Sequence, residues 1–125
     1  MIMRVLICGD RNWTNQEMIE DKLAFLISIV YSPLDILVIQ GEARGADSLA
    51  RLAAESLNIP VIKFPAQWDL YGRAAGPIRN KQMLEEGKPD MVLAFHDNIQ
   101  ASKGTKYMVM LARKAYIPDV VVCHP

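Results

Sequence analysis

The chain has 125 residues, of which 51% are apolar, and its 14 basic residues balance 14 acidic ones. This size and composition predict one domain, residues 1–125, with a full hydrophobic core, and they argue against a disordered protein. A net charge of zero provides no overall attraction to nucleic acid or to an anionic membrane, so we expect neither as a partner.

The two cysteines, Cys8 and Cys123, both lie in apolar segments. We interpret them as small core residues in a reducing compartment, and we expect a cytoplasmic protein because no secretory signal is visible. The cysteines and histidines do not have the spacing of a zinc site. We therefore expect no metal ion and no cofactor.

The first half of the chain predicts two strands and two helices. Short segments rich in branched apolar residues are typical of buried strands, and apolar residues three or four apart are typical of a helix with one face on the core. Thr14 and Glu17 have the spacing of a capping box, which predicts Thr14 as a helix cap. In chain order we expect a strand over 3–8, a helix between Thr14 and Pro33, a strand over 34–39 and a helix from about Asp47.

The second half repeats this alternation after an irregular segment, residues 65–72. Trp68 and Tyr71 in that segment either close the edge of the core or stack on a base, and the first interpretation is favoured. In chain order we expect a strand over 59–64, the irregular segment, a helix over 76–86, a strand over 91–95, a polar loop over 96–103, a fourth helix and a closing strand over 120–123.

Apolar strands that alternate with amphipathic helices predict a parallel sheet covered by helices on both faces. We therefore expect an α/β protein, a Rossmann-like three-layer sandwich with five parallel strands in the order 3-2-1-4-5. Ligands bind such sheets beyond the carboxyl ends of the strands, at the point where the strand order reverses. Here that point lies between strands one and four.

Three loops follow strands one, two and four, and each leads into a helix. Glycine at a helix start lets an anion approach free N–H groups and the positive end of the helix dipole, so these loops predict a phosphate-binding site. The glycines could instead serve only as turn residues, and Asp47 and Ser102 as ordinary helix caps. The predicted ligand-binding residues are Gly9, Asp10, Arg11, Gly41, Ala43, Gly45, Asp47, Arg79, Asn80, Ser102, Lys103, Gly104 and Thr105.

Two common nucleotide-binding motifs are absent from the sequence. Neither the Gly-x-Gly-x-x-Gly turn of dinucleotide-binding proteins nor the Gly-x-x-x-x-Gly-Lys-Ser/Thr loop of P-loop NTPases occurs. This argues against an oxidoreductase and against a P-loop NTPase. His96 beside Asp97 has the composition of an acid–base pair, although a lone loop histidine is more often a surface residue.

Four segments occur in order: the Gly-Asp-Arg turn (9–11), the Gly-Glu-Ala-Arg-Gly-Ala-Asp loop (41–47), residues 75–80 and the Ser-Lys-Gly-Thr loop (102–105). Together they resemble the SLOG superfamily, and most closely its YspA-like, YpsA-related branch, many of whose members come from phages and bacteria. The resemblance covers nearly the whole chain. It implies a single domain that binds a nucleotide-derived ligand.

Two better understood groups of proteins share part of this pattern. The chain is similar to DprA, which binds single-stranded DNA, in its glycine loops and its Arg-Asn segment. It resembles the LOG phosphoribohydrolases in the 102–105 loop and in the spacing of Arg79 and Met83. The glutamate that follows the Gly-Thr pair in LOG enzymes is absent, because residues 106–108 are Lys-Tyr-Met.

The pattern leaves three functions open, and we rank binding or sensing of a nucleotide-derived small molecule first. In that case Arg79 pairs with the phosphate, Asn80 orders the neighbouring loop, and Asp47 caps its helix or holds a ribose hydroxyl. Hydrolysis of a nucleotide N-glycosidic bond ranks second, with Arg79 and either Glu42 or Asp97 as catalytic residues.

Binding of single-stranded nucleic acid ranks third. Trp13, Trp68 or Tyr71 could then stack on bases, but the zero net charge argues against strong binding. The apolar helix faces could also support a homodimer.

Overall fold

The strands and helices alternate along the chain in the computed structural model, which describes residues 1–124. The strands are β1 (Met3–Gly9), β2 (Ile36–Gln40), β3 (Val61–Lys63), β4 (Met91–Phe95) and β5 (Asp119–Cys123). The helices are α1 (Gln16–Val30), α2 (Ala46–Ser56), α3 (Trp68–Tyr71), α4 (Ala75–Gly87) and α5 (Gly104–Lys114). Short 3₁₀ helices cover Pro33–Asp35, Gly72–Ala74 and Ile99–Ala101.

The five strands form one parallel sheet in the order β3-β2-β1-β4-β5, which confirms the predicted topology. β1 is the central strand, and its Leu6 lies between Ile39 of β2 and Val92 of β4. The chain continues to one side of β1 through β2 and to the other side through β4. The strand order therefore reverses between β1 and β4, and this leaves a crevice at their carboxyl ends.

Successive residues of β1 face two separate hydrophobic layers. Val5 and Ile7 pack with α1 and α2, whereas Leu6 and Cys8 pack with α4 and α5. All four side chains are buried. A parallel strand with helices on both faces needs apolar residues at every position, which is why β1 reads as an uninterrupted apolar segment.

The start of α1 differs from the sequence-based prediction. Asn15 is the helix cap, and its Oδ1 accepts a hydrogen bond of 3.0 Å from the Met18 N–H. We attribute this position of the cap to Trp13. Its indole is buried against Phe95, and its Nε1 donates a hydrogen bond of 3.0 Å to the Asn15 carbonyl. The prediction that Thr14 caps the helix is therefore wrong, and the buried Trp13 is not available to stack on a base.

The segment between β3 and α4 also differs from the prediction, since it contains α3 and a 3₁₀ turn. Trp68 is 49% exposed and Tyr71 is 45% exposed. The prediction that these two rings close the edge of the core is therefore wrong.

Within residues 1–124, no helix has the length and apolar character needed to cross a bilayer.

Hydrogen bonds to the Asp10 carbonyl join the loop after β1 to the start of α2. The Asp10 carbonyl accepts hydrogen bonds from the Ala46 N–H at 3.0 Å and from the Trp13 N–H at 3.1 Å. Gly45 precedes α2 with φ 75° and ψ −126°, a conformation that is essentially restricted to glycine. A Cβ at Gly45 would also collide with the backbone of Asp10 and Arg11.

Gly72 provides a matched comparison, since it has φ 56° and ψ −131° but open space where a Cβ would be. We expect Gly72→Ala to lower the free energy of unfolding by about 1–3 kcal/mol through backbone strain alone. Gly45→Ala should cost about 1–3 kcal/mol more, because it adds a steric clash to the same strain. Urea denaturation of both variants measures the difference, and equal losses would contradict the proposed contact.

Candidate functional site

A cleft of about 340 Å³ opens at the carboxyl ends of β1 and β4, and we call it the main cleft. Its walls are the loop after β1, the loop before α2, the first turns of α4 and the loop before α5. The predicted residues that line it are Gly9, Asp10, Arg11, Ala43, Asp47, Arg79, Asn80, Ser102, Lys103, Gly104 and Thr105.

Two predicted glycines, Gly41 and Gly45, do not line the main cleft but contact residues that do. The Gly41 carbonyl accepts a hydrogen bond of 2.5 Å from Arg79 Nη1. A Cβ at Gly41 would occupy the space of the Arg79 guanidinium. Gly45 makes the turn into α2. These glycines therefore act through the residues that they position.

Arg79 is half-buried on α4 and is held by neutral partners. Besides the Gly41 carbonyl, its Nε donates to Asn80 Oδ1 at 2.9 Å, and Asn80 is itself buried. Burial lowers the pKa of Arg79, and the charge of Asp47 opposes this effect. Arg79 forms no ion pair with a carboxylate in residues 1–124. Its charge is therefore oriented toward the cleft but not neutralised there by direct pairing.

Asp47 is a buried carboxyl group in the same cleft. It occupies the second position of α2, and its Oδ2 accepts from the Ala43 N–H at 3.2 Å, so the alternative in which Asp47 caps the helix is wrong. Burial raises the pKa of Asp47 to about 6, against the opposing effects of the Ala43 hydrogen bond and the charge of Arg79. Asp47 therefore titrates close to neutral pH.

The loop before α5 presents backbone groups to the cleft. Ser102 Oγ accepts a hydrogen bond of 3.0 Å from the Thr105 N–H, so Ser102 acts as a capping side chain for the first turn. Gly104 begins α5, and a Cβ there would meet open space. The first N–H groups of a helix have no intrahelical partners. Apart from the Thr105 N–H, the N–H groups at the start of α5 are therefore open to an anion in the cleft.

Further residues line the main cleft that were not among the predicted site residues. His96 is one of them, and its Nδ1 accepts a hydrogen bond of 2.9 Å from the Asn98 N–H. Burial raises the pKa of the Cys8 thiol well above its usual range, which keeps the thiol protonated. The full additional set is Cys8, Asn12, Arg44, Met83, His96 and Met108.

The two carboxylates that the sequence suggested for catalysis do not line the main cleft. Glu42 lies next to it, and its carboxylate is 3.5 Å from Lys63 Nζ. The Glu42 N–H donates to the side chain of Gln40, a fully buried amide that sequence reasoning missed. Asp97 is exposed on the loop after β4. Asp10 and Asp47 are the carboxylates within the cleft.

The raised pKa of Asp47 predicts a pH-dependent stability. Folding raises this pKa from 3.8 to about 6, so the folded protein binds the proton more tightly than the unfolded chain does. The free energy of unfolding of the wild type should therefore fall by about 3 kcal/mol relative to that of Asp47→Asn as the pH rises from about 3 to about 7. Urea denaturation of both proteins at several pH values measures this difference. All other titratable groups are the same in the two proteins, so their contributions to the pH dependence cancel when the two free energies are subtracted. A difference that stays constant with pH would contradict the burial of a titrating Asp47.

Comparisons with known proteins agree with this fold. A model of the YAcAr family (YspA, cpYpsA-related SLOG) matches residues 3–71. The Gene 61 protein of Mycobacterium phage D29 is 36% identical over 122 residues, which cover 94% of each chain. The DNA processing protein A (DprA) of Streptococcus pneumoniae has a similar structure, with a TM-score of 0.74 and 17% identity. That match covers 97% of this chain but 50% of the DprA chain, and at this identity it shows the fold alone.

Proposed function

The chain belongs to the YAcAr family of YspA, cpYpsA-related SLOG proteins, and from this premise we propose that it binds a nucleotide or a nucleotide-derived phosphate ligand in the main cleft. The observation that carries the proposal is the convergence of Arg79 with the open start of α5 on one cleft. A helix start and a fixed guanidinium are both recurrent partners of phosphate groups.

The charges around the cleft support an anionic ligand. Arg11, Arg44, Arg79 and Lys103 line it, against the carboxylates Asp10 and Asp47. The chain as a whole has no net charge, so this excess of cations is local. Charges that line a cleft attract an oppositely charged ligand more strongly than the same charges dispersed over a surface.

The partners of Arg79 determine what it offers a ligand. Its Nε and one Nη1 proton are occupied by Asn80 and Gly41, which fix the plane of the guanidinium. Within residues 1–124 the remaining N–H groups have no other partner, so they can bind two phosphate oxygens side by side. A lysine at this position would retain the positive charge but not the planar fork.

We expect Arg79→Lys to weaken binding of adenosine monophosphate (AMP) by about tenfold to a hundredfold, as the loss of a charge-assisted hydrogen bond implies. Lys103→Ala should weaken binding less, because Lys103 is exposed. Lys114→Ala is the matched control, since Lys114 lies at the far end of the same helix and does not line the cleft. Isothermal titration calorimetry measures all three.

The proposal fails if phosphate compounds do not bind at all. The test set is AMP, the other nucleoside monophosphates, ADP-ribose and ribose 5-phosphate, each added at millimolar concentration. The absence of both a calorimetric signal and a shift in Tm for every compound would overturn it, because any ligand specific to the folded state raises the Tm.

A further inference from the structure

A second cleft, of about 410 Å³, adjoins the main cleft, and we call it the side cleft. The two clefts share Arg11, Ala43, Arg44 and Arg79. Pro65, Ala66 and Trp68 also line the side cleft. A ligand whose phosphate lies near Arg79 can therefore extend into the side cleft without leaving the protein surface.

Trp68 is the aromatic residue of the side cleft, and it is 49% exposed. Its indole lies near Gly76 of α4, where a Cβ would be 3.5 Å from Trp68 Cη2. The guanidinium carbon of Arg11 lies over the ring, 5.8 Å from the ring centroid. Because Arg11 is exposed, this cation–π contact is weak, and a ligand that binds the indole can displace the guanidinium.

We propose that Trp68 is the platform on which the base of a bound nucleotide stacks, while its phosphate lies in the main cleft. This inference rests on the proposed function and narrows the ligand to a nucleotide with an intact aromatic base. Arg11 lines both clefts, so it can leave the indole to the base and turn toward the phosphate. Stacking is tolerant of base identity, because every base has a π-face.

Two other aromatic residues provide the comparison that isolates Trp68. Tyr71 lies on the same short helix and is 45% exposed, but it lines a different surface groove. Trp13 is buried, and Trp13 and Trp68 are the two tryptophans of the chain. A change in tryptophan fluorescence that disappears in Trp68→Leu therefore reports on Trp68.

The test compares AMP with ribose 5-phosphate, which has the sugar and the phosphate but no base. We expect the wild type to bind AMP at least about tenfold more tightly than ribose 5-phosphate. Trp68→Leu should abolish this difference, whereas Tyr71→Leu should retain it. AMP should also quench the fluorescence of the wild type and of Tyr71→Leu, and ribose 5-phosphate should not.

The failure of this inference is distinct from failure of the proposed function. If both compounds bind with equal affinity and Trp68→Leu changes neither, the stacking platform is overturned while phosphate binding stands. If AMP is preferred but the preference survives in Trp68→Leu, the base binds elsewhere and the inference is also overturned. If neither compound binds, the proposed function fails, and the inference fails with it.

Discussion

The peptide groups of Asp10 connect three of the elements that surround the main cleft, namely β1, β4 and α2. The Asp10 N–H donates to the Phe95 carbonyl at the end of β4 at 2.9 Å, and the Asp10 carbonyl accepts from the start of α2 and from Trp13. Reversal of strand order creates a crevice in any doubly wound sheet. Here, however, these hydrogen bonds fix how β1, β4 and α2 meet. Gly45 matters for the same reason, because its turn passes directly over this backbone.

The side chains of the cleft combine a fixed cation with a buried acid. Arg79 is held by a carbonyl and an amide, so its charge is oriented without being cancelled by a direct ion pair. Asp47 is buried nearby and has a pKa of about 6. Hydrolysis of an N-glycosidic bond would require a carboxylate beside the ligand, and Asp47 is better located for that than Glu42 or Asp97. The proposed binding function requires no such step.

The sequence predicted a parallel sheet because burial on both faces leaves a strong local pattern in β1 and β4, and the strand order followed from the right-handed crossovers of a doubly wound fold. It also predicted most of the cleft, because loops at the carboxyl ends of parallel strands meet at one edge. The cap at Asn15 was missed because Thr14 and Glu17 satisfy a local motif, whereas the deciding contact is the burial of Trp13 against Phe95. Local patterns contain no information about such distant partners.

Other features of the site were unpredictable for related reasons. Gly41 and Arg79 are 38 residues apart in sequence, so their hydrogen bond could not be inferred from spacing. Cys8 and Met83 have the character of core residues and do pack in the core, yet they also line the cleft. An aromatic residue such as Trp68 satisfies an apolar pattern whether it is buried or exposed. Only the folded chain distinguishes these cases.

The central claim is that a nucleotide binds at the carboxyl edge of the sheet between β1 and β4. A titration of ¹⁵N-labelled protein with AMP, followed by amide chemical shifts, tests it most directly. We predict shifts concentrated in residues 9–12, 43–47 and 102–105 that saturate with a single Kd. Shifts confined to the opposite edge of the sheet, around residues 3, 36 and 91, or no shifts at millimolar AMP, would contradict the account.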